Sequence, residues 1–400
     1  MHHKRNRKPA MSTPFYDLAS LVVVPSGYKS GKIYAQKPLT TDGQLTFTRA
    51  STATRVNASG ALETVSSGVP RLDYTNSSCP KILLEPQRTQ KLTYNNDFSN
   101  AAWNKTYQGL GSAPVLTANY GTDPFGGNNA WRIQLNLNGG TDSSSRSWML
   151  QSFNPSATVT LSIYIKLNTA GTKTFVLSDS GGDTVTVNST SWTRITQVEN
   201  GGAGEFRFGL IGGSCSDTLD ASICYFQSEE GSYATSIINS TSAAVTRLGE
   251  RPQKTGIGSL IGGTSGTVFF EIKTNKTLSG ASYKQFFYYE NAAASQAYMY
   301  LASTNYIVTN PTLGNITSSI ALQPDTTYKV AIAYASNDFK LYINGVERGS
   351  STSGTPIDAV NIISIGSYQG SSEFNEMTFA QYLHFKSRLT NAQLAELTTL

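Results

Sequence analysis

The chain is 400 residues long, carries a formal net charge of +5, and is 10 % aromatic but only 14 % charged. That length holds two or three domains, and a composition rich in Gly, Ser, Thr and Tyr favours strands and turns over amphipathic helices. Lys4, Arg5, Arg7 and Lys8 carry four of the five net charges, so the rest of the chain sits at +1 and lacks the basic stripe that extended nucleic-acid binding needs.

The opening MHHKRNRKPA reads either as a docking arm for an acidic protein surface or as a solvated terminus. The first apolar run, Leu18 to Val24, is far short of the ~20 residues of a membrane span. STPFYD before it is unlike a signal-peptide start, so neither membrane insertion nor signal-directed secretion is expected. From Met11 to about Lys91, short strands mix with turn-rich stretches such as PSGYKSGK, and residues 1–91 read as an attachment and linker region. Within it Leu45, Phe47, Ala53 and Val56, then Leu62 and Val65 beyond NASG, predict an extended strand pair open to burial against another subunit.

Residues 92–250 read as many short strands, among them AWRIQLNLN, TVTLSIYIKLN, KTFVLSD, EFRFGLIGG and ASICYFQSEE, separated by NGG, SGGD and NGGAG turns. This predicts a jelly-roll sandwich with Leu161, Ile163 and Ile165 on one face. Cys79, Cys215 and Cys224 fit no metal-ligand spacing; Cys215 and Cys224 could meet across a hairpin, but reduced thiols are the expected state. RPQKTGIG breaks the pattern and reads as a linker.

Residues 258–400 repeat the β grammar in GTVFFEIKT, KQFFYYEN, AYMYLAS, TTYKVAIAYAS and NIISIGSYQ. In DFKLYINGVERGS the alternation sends Phe339, Leu341 and Ile343 to a core and Lys340, Tyr342 and Asn344 to water, with Asn344-Gly345 as a type I′ turn. Thr390 and Gln393 form a capping box before a short helix carrying Ala392, Leu394, Ala395 and Leu397. The expected fold is all-β: an N-terminal attachment region, two β-sandwich (jelly-roll) domains and a short C-terminal helix.

Three stretches carry a resemblance. TYKVAIAYASNDFKLYINGVE, with IISIGS and FKSRLTNAQLAEL, resembles a laminin-G-like or concanavalin-A-like lectin sandwich. LLEPQRTQKLTYNNDFSNAAW and CYFQSEEGSYATSIINSTSAAVTR resemble the two ends of a carbohydrate-binding-module-like jelly roll. DLASLVVVPSGYKSGKIYAQKPLTTDGQLTFTRASTATRVN is similar to the start of head-fibre and tail-fibre proteins in phages of gut Bacteroidetes, including the crAss-like group. The resemblance implies a virion protein assembled in the host cytoplasm, a head fibre or decoration protein with a tail fibre or tail-spike depolymerase as the alternative. Its partners would be other virion proteins and cell-surface or mucin glycans, with Lys4, Arg5, Arg7 and Lys8 docking it on the particle. A homotrimer is expected before a dimer, because multiplying weak sites gains avidity.

Sugar recognition uses aromatic faces beside polar side chains, since a pyranose has an apolar face and a ring of hydroxyls. Trp103, Trp131 and Trp148 are candidates, as are Tyr288 and Tyr298 from the cluster Phe286, Phe287, Tyr288, Tyr289, Tyr298 and Tyr300; alternation makes about half of such residues core. Trp192 is assigned to the core. Binding of this kind is expected to depend on neither metal nor charge. No cofactor is implied, and no D-x-D-x-D calcium loop occurs. Catalysis is not expected: Glu229 and Glu230 point opposite ways on a strand, Asp338 and Glu347 flank a turn, no G-x-S-x-G is present, and His384 has no evident partner.

Overall fold

The computed structural model describes residues 15–154, 158–179, 182–200, 204–274, 284–368 and 377–400. Lys4, Arg5, Arg7 and Lys8 lie outside these. Of the described residues half are in strands and 6 % in helices, as the composition predicts. Two compact units are woven from discontinuous segments: unit 1 from 1–48, 80–85 and 250–400, unit 2 from 49–79 and 86–249.

In unit 1 antiparallel strands follow one hydrogen-bonded path. One arm of that path runs through Thr317–Ala321, Tyr306–Thr309, Gln296–Leu301, Lys284–Asn291 and Val360–Ile365. The middle holds Arg251–Thr255, Leu45–Thr48, Lys32–Lys37 and Leu21–Lys29, and the other arm Met377–Phe385, Gly266–Thr274, Thr326–Ala335, Asp338–Ile343 and Val346–Ser351. Residues 21–48 thus complete their core with late segments of the same chain: Leu21, Val23, Leu45 and Phe47 are all buried.

RPQKT is a strand, not a linker. It pairs with Leu45–Thr48 on one side and Val360–Ile365 on the other. Pro252 has no N–H to give, but the second pairing begins only at Gln253, so the ladder loses nothing by it.

The hairpin turns at Asn344 (φ 49°) and Gly345 (φ 81°), the left-handed pair a type I′ turn requires. Phe339, Leu341 and Ile343 are fully buried. Tyr342, expected to face water, is 6 % exposed because the helix Asn391–Thr398 roofs it: Leu394 joins Tyr342, Phe269 and Phe385 in one cluster. The helix is capped as predicted, with Gln393 N–H donating to Thr390 Oγ1 (3.3 Å) and Thr390 N–H to Gln393 Oε1 (2.9 Å).

Unit 2 is a two-sheet sandwich. One sheet has the order Val115–Thr117, Trp131–Asn136, Thr218–Glu230, Val159–Leu167, Thr193–Glu199. The other has Thr184–Val187, Lys173–Ser178, Glu205–Ile211, Arg146–Ser152, Asn104–Gln108. Between them Leu161, Ile163 and Ile165 meet Phe175, Phe206, Phe208 and Phe226, all at 0 % exposure. The predicted strand pair Ala53–Val56 and Leu62–Val65 forms its own hairpin beside these sheets. The cysteines are unpaired: Cys79 exposed, Cys215 half-buried, and Cys224 buried with its thiol pushed well up by desolvation.

Candidate glycan-binding faces

Alternation that turns Ile133, Leu135, Leu219 and Ala221 inward turns Arg132, Gln134, Asp220 and Ser222 outward on the neighbouring strands of unit 2. The outward groups interlock. Arg132 grips Asp220 through Nε (2.9 Å) and Nη2 (2.5 Å), Asn168 Nδ2 donates to the same carboxylate (2.6 Å), and Ser222 donates to Asn168 Oδ1 (2.8 Å). The Arg132 hydrogen bonds hold the Asp220 carboxyl below the usual range, against partial burial. Beside this network lies an open groove of about 320 Å3 lined by Ser112, Val115, Gln134, Asn136, Thr218 and Asp220. Tyr120, 41 % exposed, adjoins the network, with Arg132 stacked 5.1 Å from its ring centre.

A bulge sets where the open face ends. Between Ser162↔Gln227 and Tyr164↔Cys224 the register slips, and Tyr225 takes φ 51°, a conformation costly for a bulky residue. Its ring is locked from outside: Asp123 accepts from Tyr225 Oη (3.3 Å) and from Asn129 Nδ2 (2.8 Å). The loop carrying Phe125 thereby covers Cys224, Tyr225 and Ile237, leaving the Arg132–Asp220 side open. Trp192 belongs to this outer layer rather than to the core: it is half-buried, donates to Thr122 O (3.1 Å), and has Lys166 5.1 Å from its ring.

The aromatic candidates fall on both sides of the sheets. Trp103 (1 % exposed) and Tyr288 (0 %) present no face to a sugar, and both are corrected to packing roles. Trp103 is ringed by Phe98, Phe206 and Phe226, with its N–H on Tyr94 O (2.9 Å). Trp131 is half-buried over the core and spends its N–H on Asn96 O (3.1 Å). Trp148, 5 % exposed, is covered by two arginines described below. Tyr298 is half-buried on the outward face of unit 1, stacked on Tyr288 and beside Tyr300 and Tyr368, with Tyr368 donating to Gln296 Oε1 (3.0 Å). Tyr120, Arg132, Asn168 and Asp220 went unnoticed in the sequence, although the alternation in AWRIQLN and TLDASI marks Arg132 and Asp220 as outward.

The carboxylates expected to be non-catalytic lie apart. Glu229 is fully buried while Glu230 points away to Lys91 Nζ (2.8 Å), and Asp338 and Glu347 pair with Arg388 and Lys340. His384 is buried between Tyr289 Oη, which lies 3.0 Å from Nδ1, and Ile261 O, 2.8 Å from Nε2. Among the described residues no group of three His, Cys, Asp or Glu could hold a metal ion, and no helix is long and apolar enough to cross a membrane.

None of the curated protein sequences matches the chain. Among solved structures it is similar to the CBM40 of Ruminococcus gnavus IT-sialidase bound to α2,3 sialyllactose, at 14 % identity over 36 % of this chain and 87 % of that one, TM-score 0.31. Domain 4 of AbnA, a GH43 extracellular arabinanase from Geobacillus stearothermophilus, in complex with arabinotriose, is matched at 15 % identity over 42 % of this chain and 84 % of that one, TM-score 0.31. Trypanosoma rangeli sialidase is matched at 10 % identity over 33 % of this chain, TM-score 0.28, and the match spans only 22 % of that enzyme's length. Residues 255–395 match the family model of the concanavalin A-like lectin/glucanases superfamily.

Proposed function

We propose that this is a non-enzymatic adhesion protein that binds glycans, with the groove beside Asp220 as its site in unit 2. The observation that carries the reading is a concave, open sheet face on which a saturated Arg132–Asp220–Asn168 network adjoins amide and hydroxyl side chains and an exposed tyrosine. Neutralised charge with many donors and acceptors suits a neutral polyol, and Tyr120 suits the apolar face of a sugar ring. The lectin/glucanase superfamily match over 255–395 supports the same class for unit 1, where Tyr298 and Tyr300 are the outward rings.

The test is a glycan array followed by titration of the neutral sugar it selects. Tyr120→Ala and Gln134→Ala are each expected to raise Kd about tenfold, one lost contact of roughly 1.4 kcal/mol. Binding should persist in chelator and at high salt. All four tryptophans lie in unit 2, so intrinsic fluorescence reports its folding in the same samples. Unchanged affinity in both variants would defeat the groove.

In its finer form the proposal places the protein on a phage particle as a head fibre or decoration protein, presented as a homotrimer. This rests on the resemblance of residues 17–57 to fibre N-termini. Gold labelling of intact particles is expected on the capsid; label on the tail makes it a tail fibre. Light scattering of the full chain is expected to give three copies, and a monomer would remove the avidity argument.

A further inference from the structure

We propose that the outward face of the other sheet of unit 2 holds a second site, for the sulfate or carboxylate groups of an acidic polysaccharide, built on Arg146, Trp148 and Arg207. Trp148 points away from the core that Met149 enters, and pairs across the strands with Gly209. A Cβ at Gly209 would lie 2.2 Å from Trp148 Cβ, so this approach tolerates only glycine. The guanidinium carbons of Arg146 and Arg207 stand 4.8 and 5.6 Å from the indole centre. Those two side chains, with the outward Leu150, Val176 and Ile211 packed around it, leave the outward tryptophan only 5 % exposed.

Four features make this more than a covered ring. Arg146 is oriented by the indole and by its Nε bond to Ser143 O (2.9 Å), which leaves both Nη groups for a ligand; no carboxylate among the described residues pairs with it. A guanidinium fixed in place before binding loses little freedom when it forks onto a planar or tetrahedral anion. Trp148 Nε1 is itself buried with no hydrogen-bond partner, an orphaned donor at the same patch. Arg207, held by Glu205 (2.8 Å), closes the other side of the ring and leaves Arg146 as the cation without a carboxylate among the described residues. Thr106 and Gln108, opposite Trp148 and Arg146 on the edge strand, supply neutral polar groups for the sugar that carries the anion.

The experiment measures full-chain binding to immobilised dextran sulfate, with uncharged dextran as the reference surface. Arg146→Gln is expected to raise Kd about tenfold and Arg146→Gln/Arg207→Gln further, with dextran showing no binding change. Lys32→Gln, which removes one charge from unit 1, should stay within twofold, and the basic N-terminal arm acts equally on all variants. Unlike the groove, this site should weaken as salt rises. Equal losses in Arg146→Gln and Lys32→Gln would overturn the proposal. So would complete displacement by inorganic sulfate at the same concentration of sulfate groups, or tighter binding of double-stranded DNA that falls with the same variants. Gln134→Ala, which changes the groove without changing charge, is expected to leave dextran sulfate binding unchanged, which separates this site from the glycan groove.

Discussion

Glu229→Leu is expected to destabilise unit 2 by about 3–5 kcal/mol, read as a fall in the denaturation midpoint of tryptophan fluorescence. Glu229 has no exposed surface. Its carboxylate accepts from Gln227 Nε2 (2.6 Å), from Thr235 N (2.7 Å) and Oγ1 (2.6 Å), and lies 3.8 Å from Arg88 Nε. Thr235 Oγ1 in turn accepts from Arg247, a 1 % exposed guanidinium that also donates to Pro86 O (2.9 Å). Removing the anion leaves buried positive charge and three donors facing a leucine. Breaking one side of a buried network costs far more than the network is worth intact. Glu229→Gln keeps an acceptor and should lose less. A midpoint unmoved in Glu229→Leu would show that the network is solvated.

The second large effect is a pair of opposite responses to pH. Burial lowers the His384 pKa from 6.5 to about 4. The folded unit 1 therefore binds that proton less readily than the unfolded chain. The resulting stability is complete above about pH 6.5 and is lost as pH falls toward 4, by about 3 kcal/mol. In unit 2, burial beside Asp183 and Asp179 raises Glu199 from 4.5 to about 7. Its contribution is complete below about pH 4.5 and is lost as pH rises through 7. His384→Gln preserves one donor and one acceptor without titrating, so it should flatten the acid limb of unit 1 in calorimetry. Glu199→Gln should flatten the alkaline limb of the fluorescence transition. Identical pH profiles for parent and variants would contradict both assignments.

Much of the fold was legible where one strand carries its own pattern. Alternation in TLSIYIKLN placed Leu161, Ile163 and Ile165 in the core, Asn344-Gly345 announced its turn, and Thr390 with Gln393 announced the helix start. What failed depended on a partner distant in sequence. Pro252 and the charges around it disguise a strand whose neighbours are some 100 and 200 residues away. Tyr342 looked solvent-facing because its roof comes from the last ten residues. Aromatic rings were the least legible: outward Trp148 is hidden by arginines, and Trp192 lies in a layer that only the Tyr225 bulge and the Asp123 loop create. The groove was absent from the sequence reading for the same reason, since Arg132, Asn168 and Asp220 come from three separate stretches of chain.

The strand Leu21–Lys29 pairs with Met377–Phe385, Leu21 lying opposite His384. A ribosome adding ~5–20 residues per second therefore needs roughly 20 to 70 s to deliver the second strand after the first. During that interval Leu21, Val22 and Val23, all buried in the finished unit, have no partner there. Residues 86–249 meanwhile emerge unbroken and can assemble the two sheets of their own unit. Birth order thus runs against placement: the strand Leu21–Lys29 is made early and placed late, and a chaperone that shields apolar segments has its longest work there.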